Sequence, residues 1–215
     1  MSWNCKATGA YARDSAEALA NTYAAYQVLS RRGFNLYAFC GVWGNVEAES
    51  GYNPWRWQGD DVLNVGNSNI YVQSAHAYGL AQWDPASKYI TGGNAYSGYG
   101  PNFSDRAGLL TDGDAQLNFL DDTAVSSGQY FINPNRPYNY TYDEFKQFPV
   151  YGSTEVATVQ RAVQTWFWNY ERGTWSDSRV TAGVYWYNIL KDTPTPTSGF
   201  PIWLLFKIKE RNEGR

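Results

Sequence analysis

Two glutamates near the end of a predicted helix are of the residue type that acid chemistry needs. Residues 44–54 read Gly-Asn-Val-Glu-Ala-Glu-Ser-Gly-Tyr-Asn-Pro. Glu47 and Glu49 point about 200° apart on a helix, so they cannot share one role. Glu49 falls in the last turn, where the negative helix end disfavours a carboxylate and raises its pKa. A carboxylic acid that keeps its proton near neutral pH is a general acid for glycosidic cleavage. On this segment alone, an ordinary exposed glutamate at a helix end is the simpler interpretation.

A second segment, residues 78–85, offers polar and aromatic groups of the kind that bind a sugar. It reads Tyr-Gly-Leu-Ala-Gln-Trp-Asp-Pro. Gly79 permits the close approach of a backbone or a ligand, Gln82 supplies both a donor and an acceptor, and Trp83 provides a flat face for stacking. The structural alternative is a buried edge strand whose amide is satisfied within the protein.

Rare residues exclude several other kinds of site. The sequence has one histidine, His76, which rules out a zinc site that needs two imidazoles. We expect this residue to serve packing or a loop. The two cysteines, Cys5 and Cys40, could form a disulfide or remain thiols, and their spacing leaves both open. A Cys40–His76 catalytic pair lacks a recognisable third residue to orient it. No metal site is therefore expected.

The composition favours a carbohydrate ligand. Phe, Trp and Tyr make up 18% of the 215 residues, which is more than a core of this size needs, and their rings suit stacking on sugars. The formal net charge of −3 argues against a nucleic-acid partner. No stretch is long and apolar enough to predict a membrane span, and the amino-terminal residues lack the apolar segment of a signal peptide.

Hydrophobic periodicity and capping residues predict a mostly helical chain. Six helices are predicted, at 14–32, 36–50, 112–125, 142–148, 153–171 and 176–191. Asp14, Asn35 and Thr141 are the expected caps of the first, second and fourth helices. Residues 55–77 have no helical period, and they predict a long loop or a small β-hairpin between the second and third helices. The predicted fold class is therefore α+β, predominantly α-helical.

The carboxyl end of the chain differs in composition from the rest. Residues 1–192 predict one catalytic domain, residues 193–199 a linker rich in Pro, Thr and Gly, and residues 200–215 a stub that is apolar and then basic. We expect the stub either to add a strand to a partner protein or to fold back over its own domain.

Three segments together resemble the phage tail lysozyme domain, which belongs to the superfamily of goose-type lysozymes and soluble lytic transglycosylases. They are residues 49–54, with Glu-Ser-Gly and Asn-Pro, residues 78–83, with Tyr-Gly-Leu-Ala-Gln-Trp, and residues 167–187, which begin Phe-Trp-Asn-Tyr-Glu-Arg. Gly173 stands where that family usually has proline. The resemblance covers residues 15–190 and implies a lysozyme-like fold.

The resemblance implies roles for individual residues. Glu49 would be the general acid. Glu171 is interpreted as a structural residue that pairs with Arg172 or Arg179. The substrate-binding roles fall on four residues: Tyr52, Tyr78, Gln82 and Trp83.

A second catalytic carboxylate is not specified by these motifs. Asp60, Asp61 and Asp84 are candidates because they lie on loops expected to face Glu49, and Asp61 is assigned the role here. Each of them could instead serve a turn. Relatives that resemble transglycosylases need no such partner, because the sugar's own hydroxyl attacks and leaves an anhydro product. Hydrolysis and transglycosylation both stay open.

The resemblance implies a peptidoglycan-cleaving glycosidase that cuts between N-acetylmuramic acid and N-acetylglucosamine. We expect it in a phage tail, or released in the manner of an endolysin at the bacterial cell wall. The expected partners are bacterial peptidoglycan and, through the stub, other tail proteins, and no cofactor is implied. The alternatives are a catalytically inactive carbohydrate-binding module and a structural tail component.

Overall fold

Helices make up most of the structure. The computed structural model describes residues 3–6, 9–60, 77–89 and 106–193. Within these residues the α-helices are α1 (Ala16–Arg31), α2 (Leu36–Ser50), α3 (Arg106–Thr123), α4 (Tyr142–Lys146), α5 (Glu155–Trp166) and α6 (Ser178–Leu190). Short 3₁₀ turns occur at Gln58–Asp60 and Ala86–Lys88. The predominantly helical class is confirmed.

The predicted β-hairpin is not shown. Most of it falls on residues 61–76, which lie outside the described residues, as does the stub at 200–215. The described part of the chain contains two isolated antiparallel bridges, in which Tyr78 pairs with Trp57 and with Trp83.

Local capping explains where several helices begin and end. The Asn35 side chain accepts a hydrogen bond from the backbone of Ala38, and Gly51 ends α2 with a left-handed φ of 55°, a conformation that favours glycine. Thr141 and Glu144 form the predicted capping box at α4. The prediction for α1 is wrong by one residue, because the cap is Ser15 and not Asp14.

The long helix predicted at 153–171 is not regular throughout. It is α-helical as far as Trp166 and then widens into a single π-helical turn, Phe167–Glu171, which we call the π turn. Arg172 ends it with a left-handed φ of 58°. Such turns shift the side chains that follow relative to a regular helix, and they are frequent at functional sites.

Helix α2 lies between α5 and α6 at very short distances. A Cβ atom on Gly44 would lie 2.6 Å from the carbonyl oxygen of Arg179 and 2.9 Å from the backbone nitrogen of Gly183, and one on Gly41 would lie 3.0 Å from the backbone of Ala162. The missing side chains of Gly41 and Gly44 therefore allow the neighbouring helices to approach α2 closely. This packing fixes the amino-terminal end of α6 against the carboxyl-terminal half of α2.

Much of the aromatic content serves the core. The largest fully buried side chains of the described residues are all aromatic, and they include four tryptophans: Trp3, Trp43, Trp166 and Trp186. The rings contact each other closely; Trp166 and Tyr170, for example, stack with their centroids 4.3 Å apart. Because burial accounts for many of the rings, the high aromatic content is only weak support for carbohydrate binding.

The rare residues are structural where the structure describes them. Cys5 and Cys40 do not form a disulfide with each other, and burial raises the pKa of Cys40 well above its ordinary value, which keeps it protonated. His76 lies outside the described residues.

The described helices include none with the length and apolar character to cross a membrane. Among the described residues, no three His, Cys, Asp or Glu side chains gather where a metal ion could bind.

Candidate active site

The carboxyl group of Glu49 lies at the carboxyl end of α2 and pairs with Arg179 of α6. One Glu49 oxygen is 2.7 Å from Nη2 of Arg179, and the Glu49 side chain is 21% exposed. Glu49 is therefore fixed by a cation while it remains accessible to a ligand. The close contact at Gly44 explains this pairing, because it brings the backbone of Arg179 directly against α2.

Arg179 is held in place by several groups and is 6% exposed. Its Nη1 donates to Oδ1 of Asn45 at 3.1 Å, and its guanidinium lies over the ring of Phe167 at 4.9 Å. Asn45 is one turn before Glu49, so both contacts come from the same face of α2. The Nε atom of Arg179 is buried and has no hydrogen-bond partner in the described part of the chain.

Glu171, the last residue of the π turn, is a second carboxyl group close to Glu49. One of its oxygens accepts a hydrogen bond of 2.9 Å from the indole N–H of Trp166. Burial is the main reason that the pKa of Glu171 is raised to about 8, and the negative charge of Glu49 adds to this effect. The hydrogen bond from Trp166 and the charges of Arg179 and Arg172 act in the opposite direction. The balance of these effects favours the protonated form of Glu171 more than that of an ordinary glutamate.

The structure corrects the interpretation of Glu171. The predicted ion pair with Arg172 or Arg179 is wrong: among the described residues Glu171 makes no ion pair within 4.0 Å, and Arg179 pairs with Glu49. The raised pKa that was expected of the acid belongs to Glu171. Sequence reasoning missed Arg179 as the partner of Glu49, although both residues lie in the segments that carry the family resemblance.

Glu47 takes part in a separate structural network. Arg13 donates to both of its carboxylate oxygens, and the hydroxyl of Tyr52 also donates to it. The indole N–H of Trp186 donates to the Tyr52 hydroxyl at 2.7 Å. Tyr52 is fully buried, so it has no exposed face for a sugar, and its predicted role in substrate binding is corrected to a role in the core.

The turn at residues 78–83 packs against the π turn. Tyr78 is fully buried between the rings of Trp57 and Tyr89. Trp83 is 5% exposed, and its indole N–H donates to the hydroxyl of Tyr170 at 3.3 Å. The second motif therefore contacts the residue that precedes Glu171. The Tyr78 ring is enclosed by protein groups and has no face on which a sugar could stack, and most of the Trp83 side chain is buried as well.

Gln82 remains accessible, although its side-chain amide nitrogen bonds to backbone groups of the protein. It is partly exposed and has a left-handed φ of 45°. Its side-chain nitrogen donates to the carbonyl oxygens of Arg56 and Gly79, both at 3.0 Å. Because both N–H bonds are used, the amide oxygen is the group that Gln82 can offer to a substrate.

A cavity of about 230 Å³ lies next to this turn. Its walls include Trp83, Phe119 and Tyr170. The cavity therefore adjoins the segment that carries Glu171, and its size is of the order that a small substituent of a ligand needs.

Of the three aspartates predicted as candidates for the second carboxylate, the structure describes the side chain of Asp84. Asp61 lies outside the described residues. The backbone of Asp60 ends the 3₁₀ turn at Gln58–Asp60, and Asp84 is exposed. In the described part of the chain, Glu171 is the carboxyl group whose electrostatic interaction with Glu49 is evident.

Comparison with known proteins identifies the family of the chain. The family of phage tail lysozymes matches residues 20–190. Morphogenesis protein 1 of Bacillus phage B103 is 32% identical over 162 residues, which are 74% of this chain and 36% of that protein. The chain thus spans about a third of the relative's length. Because the family match includes α2, the turn at 78–83, the π turn and α6, the chain belongs to the phage tail lysozyme family.

Proposed function

We propose that the protein is a glycosidase that cuts the glycan strand of bacterial peptidoglycan between N-acetylmuramic acid and N-acetylglucosamine. The observation that carries the proposal is the partly exposed Glu49 carboxyl group, which lies 2.7 Å from the buried guanidinium of Arg179. Membership of the phage tail lysozyme family supports the choice of substrate.

In this mechanism Glu49 protonates the departing glycosidic oxygen. The amide oxygen of Gln82 orients the substrate on the opposite wall. A water molecule or the sugar's own hydroxyl then attacks the sugar carbon, and the two routes give a reducing or an anhydro end. Asp61 remains the predicted carboxylate for activating water. Proton transfer and positioning account for such a reaction without a cofactor.

We also propose a phage tail as the place of action. Family membership supports this location, and the relative in phage B103 is named as a morphogenesis protein. Residues 200–215 would contact other tail proteins, and the bacterial cell wall would be the surface on which the enzyme acts.

Replacement of Glu49 by Gln tests the activity. The protein is incubated with purified peptidoglycan, and the products are identified by mass spectrometry. We expect the wild-type protein to release glycan fragments, and Glu49→Gln to lose at least a hundredfold in rate, in the range expected for general acid catalysis. Glu17→Gln is the matched control, because Glu17 is an exposed glutamate of α1, and it should keep full activity.

The products distinguish the proposal from its alternatives. A reducing muramic end indicates hydrolysis, and an anhydro end indicates transglycosylation. A wild-type protein that binds cell walls and leaves the glycan intact would be a binding module or a structural tail component, and cut peptides on intact glycan would indicate a different enzyme. Either result contradicts the glycosidase proposal.

A further inference from the structure

Two partly exposed tryptophans, Trp168 of the π turn and Trp175 of the loop before α6, form a surface that we call the aromatic platform. Their ring planes lie within 17° of parallel, and their centroids are 6.4 Å apart. The buried Phe167 ring contacts both in T-shaped geometry, at 4.8 Å from Trp168 and 5.1 Å from Trp175. The indole N–H of Trp175 also donates to Asp177 at 3.0 Å. Both rings are therefore held in position, although each remains accessible to a ligand.

The aromatic platform is continuous with the candidate active site. The guanidinium of Arg179 lies 4.9 Å over the ring of Phe167, and the same guanidinium is 2.7 Å from Glu49. It also donates to the carbonyl oxygen of Thr174, the residue before Trp175, at 3.4 Å. A glycan strand has several sugar rings on each side of the bond that is cut. A strand bound at Glu49 can therefore extend onto the platform.

An exposed arginine beside the platform has hydrogen-bond donors that the protein does not use. The guanidinium of Arg136 lies 3.7 Å over the ring of Trp168, and its side chain makes no hydrogen bond or ion pair within the described residues. The loop that carries it is fixed to the π turn, because the buried Asn169 amide donates to the Tyr130 hydroxyl and to the Tyr138 carbonyl oxygen. The planar N–H groups of a guanidinium match the two oxygens of a carboxylate.

We propose that the aromatic platform and Arg136 bind the part of the glycan strand that lies beyond the bond being cut. The inference rests on the proposed glycosidase activity. Sugar rings would stack on the two indoles, and Arg136 would donate to a carboxylate carried by muramic acid or by its peptide stem. These residues position the strand and take no part in proton transfer. The surface thereby favours peptidoglycan over chitin, which offers similar rings without carboxylates.

Binding of soluble peptidoglycan strands to an inactive protein tests the inference. Glu49→Gln is the parent protein, each further substitution is made in it, and calorimetry measures the Kd for strands of eight sugars. We expect Trp168→Ala to raise this Kd about tenfold, because a stacking surface for one sugar ring is lost. Urea unfolding checks that each variant is folded.

Tyr37→Ala is the matched control for the loss of a ring. Tyr37 is partly exposed and stacks on Tyr187, with an interplanar angle of 17° and centroids 5.7 Å apart. It lies in the first turn of α2, whereas Glu49 lies in the last turn. The two ends of this helix are far apart, so the Kd of Tyr37→Ala should equal that of the parent.

Arg136→Gln tests the carboxylate contact and covers the case of a Trp168→Ala protein that does not fold. Arg136 is exposed, so its replacement should leave the fold intact. We expect the Kd for peptidoglycan strands to rise about threefold, as for an exposed ion pair, and the Kd for chitin oligosaccharides of equal length to stay unchanged. Arg31→Gln, at an exposed arginine of α1, should affect neither ligand.

Two results would overturn the inference. One is a folded Trp168→Ala protein that binds peptidoglycan strands as tightly as its parent, and the other is an Arg136→Gln protein that binds both polymers as the parent does.

Failure of the proposed function has a different signature. A wild-type protein that cuts no glycan contradicts the glycosidase, while loss of strand binding in Trp168→Ala still assigns the surface to glycan. In an active protein, Trp168→Ala should raise KM and leave kcat unchanged. A lower kcat at unchanged KM would contradict a role in binding the strand.

Discussion

At the scale of single residues, the proton of Glu171 depends on a balance of opposed effects. Burial and the charge of Glu49 favour the protonated form, whereas the indole N–H of Trp166 favours the carboxylate. The three groups come from different turns and helices, so the balance is a property of the folded site. Changing one group at a time shows how each contributes.

Replacement of Trp166 by Phe should raise the pKa of Glu171 further above about 8. The donor at 2.9 Å stabilises the ionised form, and Phe keeps the ring but lacks the donor. Carbon-13 NMR of the glutamate carboxyl groups measures the change. Trp175→Phe is the control, because the Trp175 indole donates to Asp177 instead. A lower pKa for Glu171 in Trp166→Phe would show that water entry outweighs the lost hydrogen bond.

Replacement of Arg179 by Ala should lower the free energy of unfolding by about 2–3 kcal/mol, between the values for exposed and buried ion pairs. The change removes the cation beside Glu49 and the donor to Asn45. Urea unfolding gives the difference. Arg136→Ala should change stability by less than about 0.5 kcal/mol, because Arg136 is exposed and lies over the ring of Trp168. Equal losses in both variants would contradict a structural role for the pair.

At the scale of elements, the site depends on the contact between α2 and α6. Both the pairing of Glu49 with Arg179 and the anchoring by Asn45 require that α6 begins directly against α2. Gly44 provides the space for this approach. The π turn also positions a residue of the site, because Glu171 is its last residue.

Replacement of Gly44 by Ala should therefore disturb both stability and activity. The added Cβ would lie 2.6 Å from the carbonyl oxygen of Arg179, a backbone atom that cannot rotate away. We expect a loss of about 1–3 kcal/mol, as for other overpacked contacts, together with a lower rate of glycan cleavage. Gly173→Ala is the matched control, because no atom lies within 4 Å of its Cβ position. A Gly44→Ala protein as stable as the control would show that the helices separate without penalty.

At the scale of the whole molecule, the free energy of unfolding depends on proton binding at the site. The described core consists largely of buried rings, and the π turn that carries Glu171 packs within it through Phe167 and Tyr170. A carboxyl group with a raised pKa at such a position makes the folded state bind a proton that the unfolded state releases.

The free energy of unfolding should therefore fall with rising pH in wild type relative to Glu171→Gln. The window runs from the ordinary pKa of 4.5 to about 8, because within it the folded protein holds more protons than the unfolded chain. We expect a relative loss of about 2 kcal/mol across this window. The free energy of unfolding can change by at most about 1.4 kcal/mol for each pH unit. The expected loss for each pH unit stays below this limit because Glu171 is partly exposed. Urea unfolding at pH 5, 6, 7 and 8 measures it, and parallel curves for the two proteins would contradict the raised pKa.

Local interactions made much of the helical framework predictable from the sequence. The bounds of α2 follow from Asn35 and Gly51 at its ends, and the start of α4 follows from Thr141 and Glu144. These signals act over three or four residues, so they can be read without knowledge of the fold. The motif at Glu49 could be recognised in the sequence for the same reason, because its residues are close together in the chain.

The electrostatic partners of that motif were decided by the tertiary structure alone. Arg179 is 130 positions from Glu49 and pairs with it through the contact between α6 and α2, and Glu171 is the last residue of the π turn that follows α5. The sequence likewise suggested exposed rings at Tyr52 and Tyr78, but the fold buries both. Burial and the distances between charges depend on residues that are far apart in the chain. The type and spacing of residues therefore determined where an acid lies. Only packing determined which carboxyl group keeps its proton.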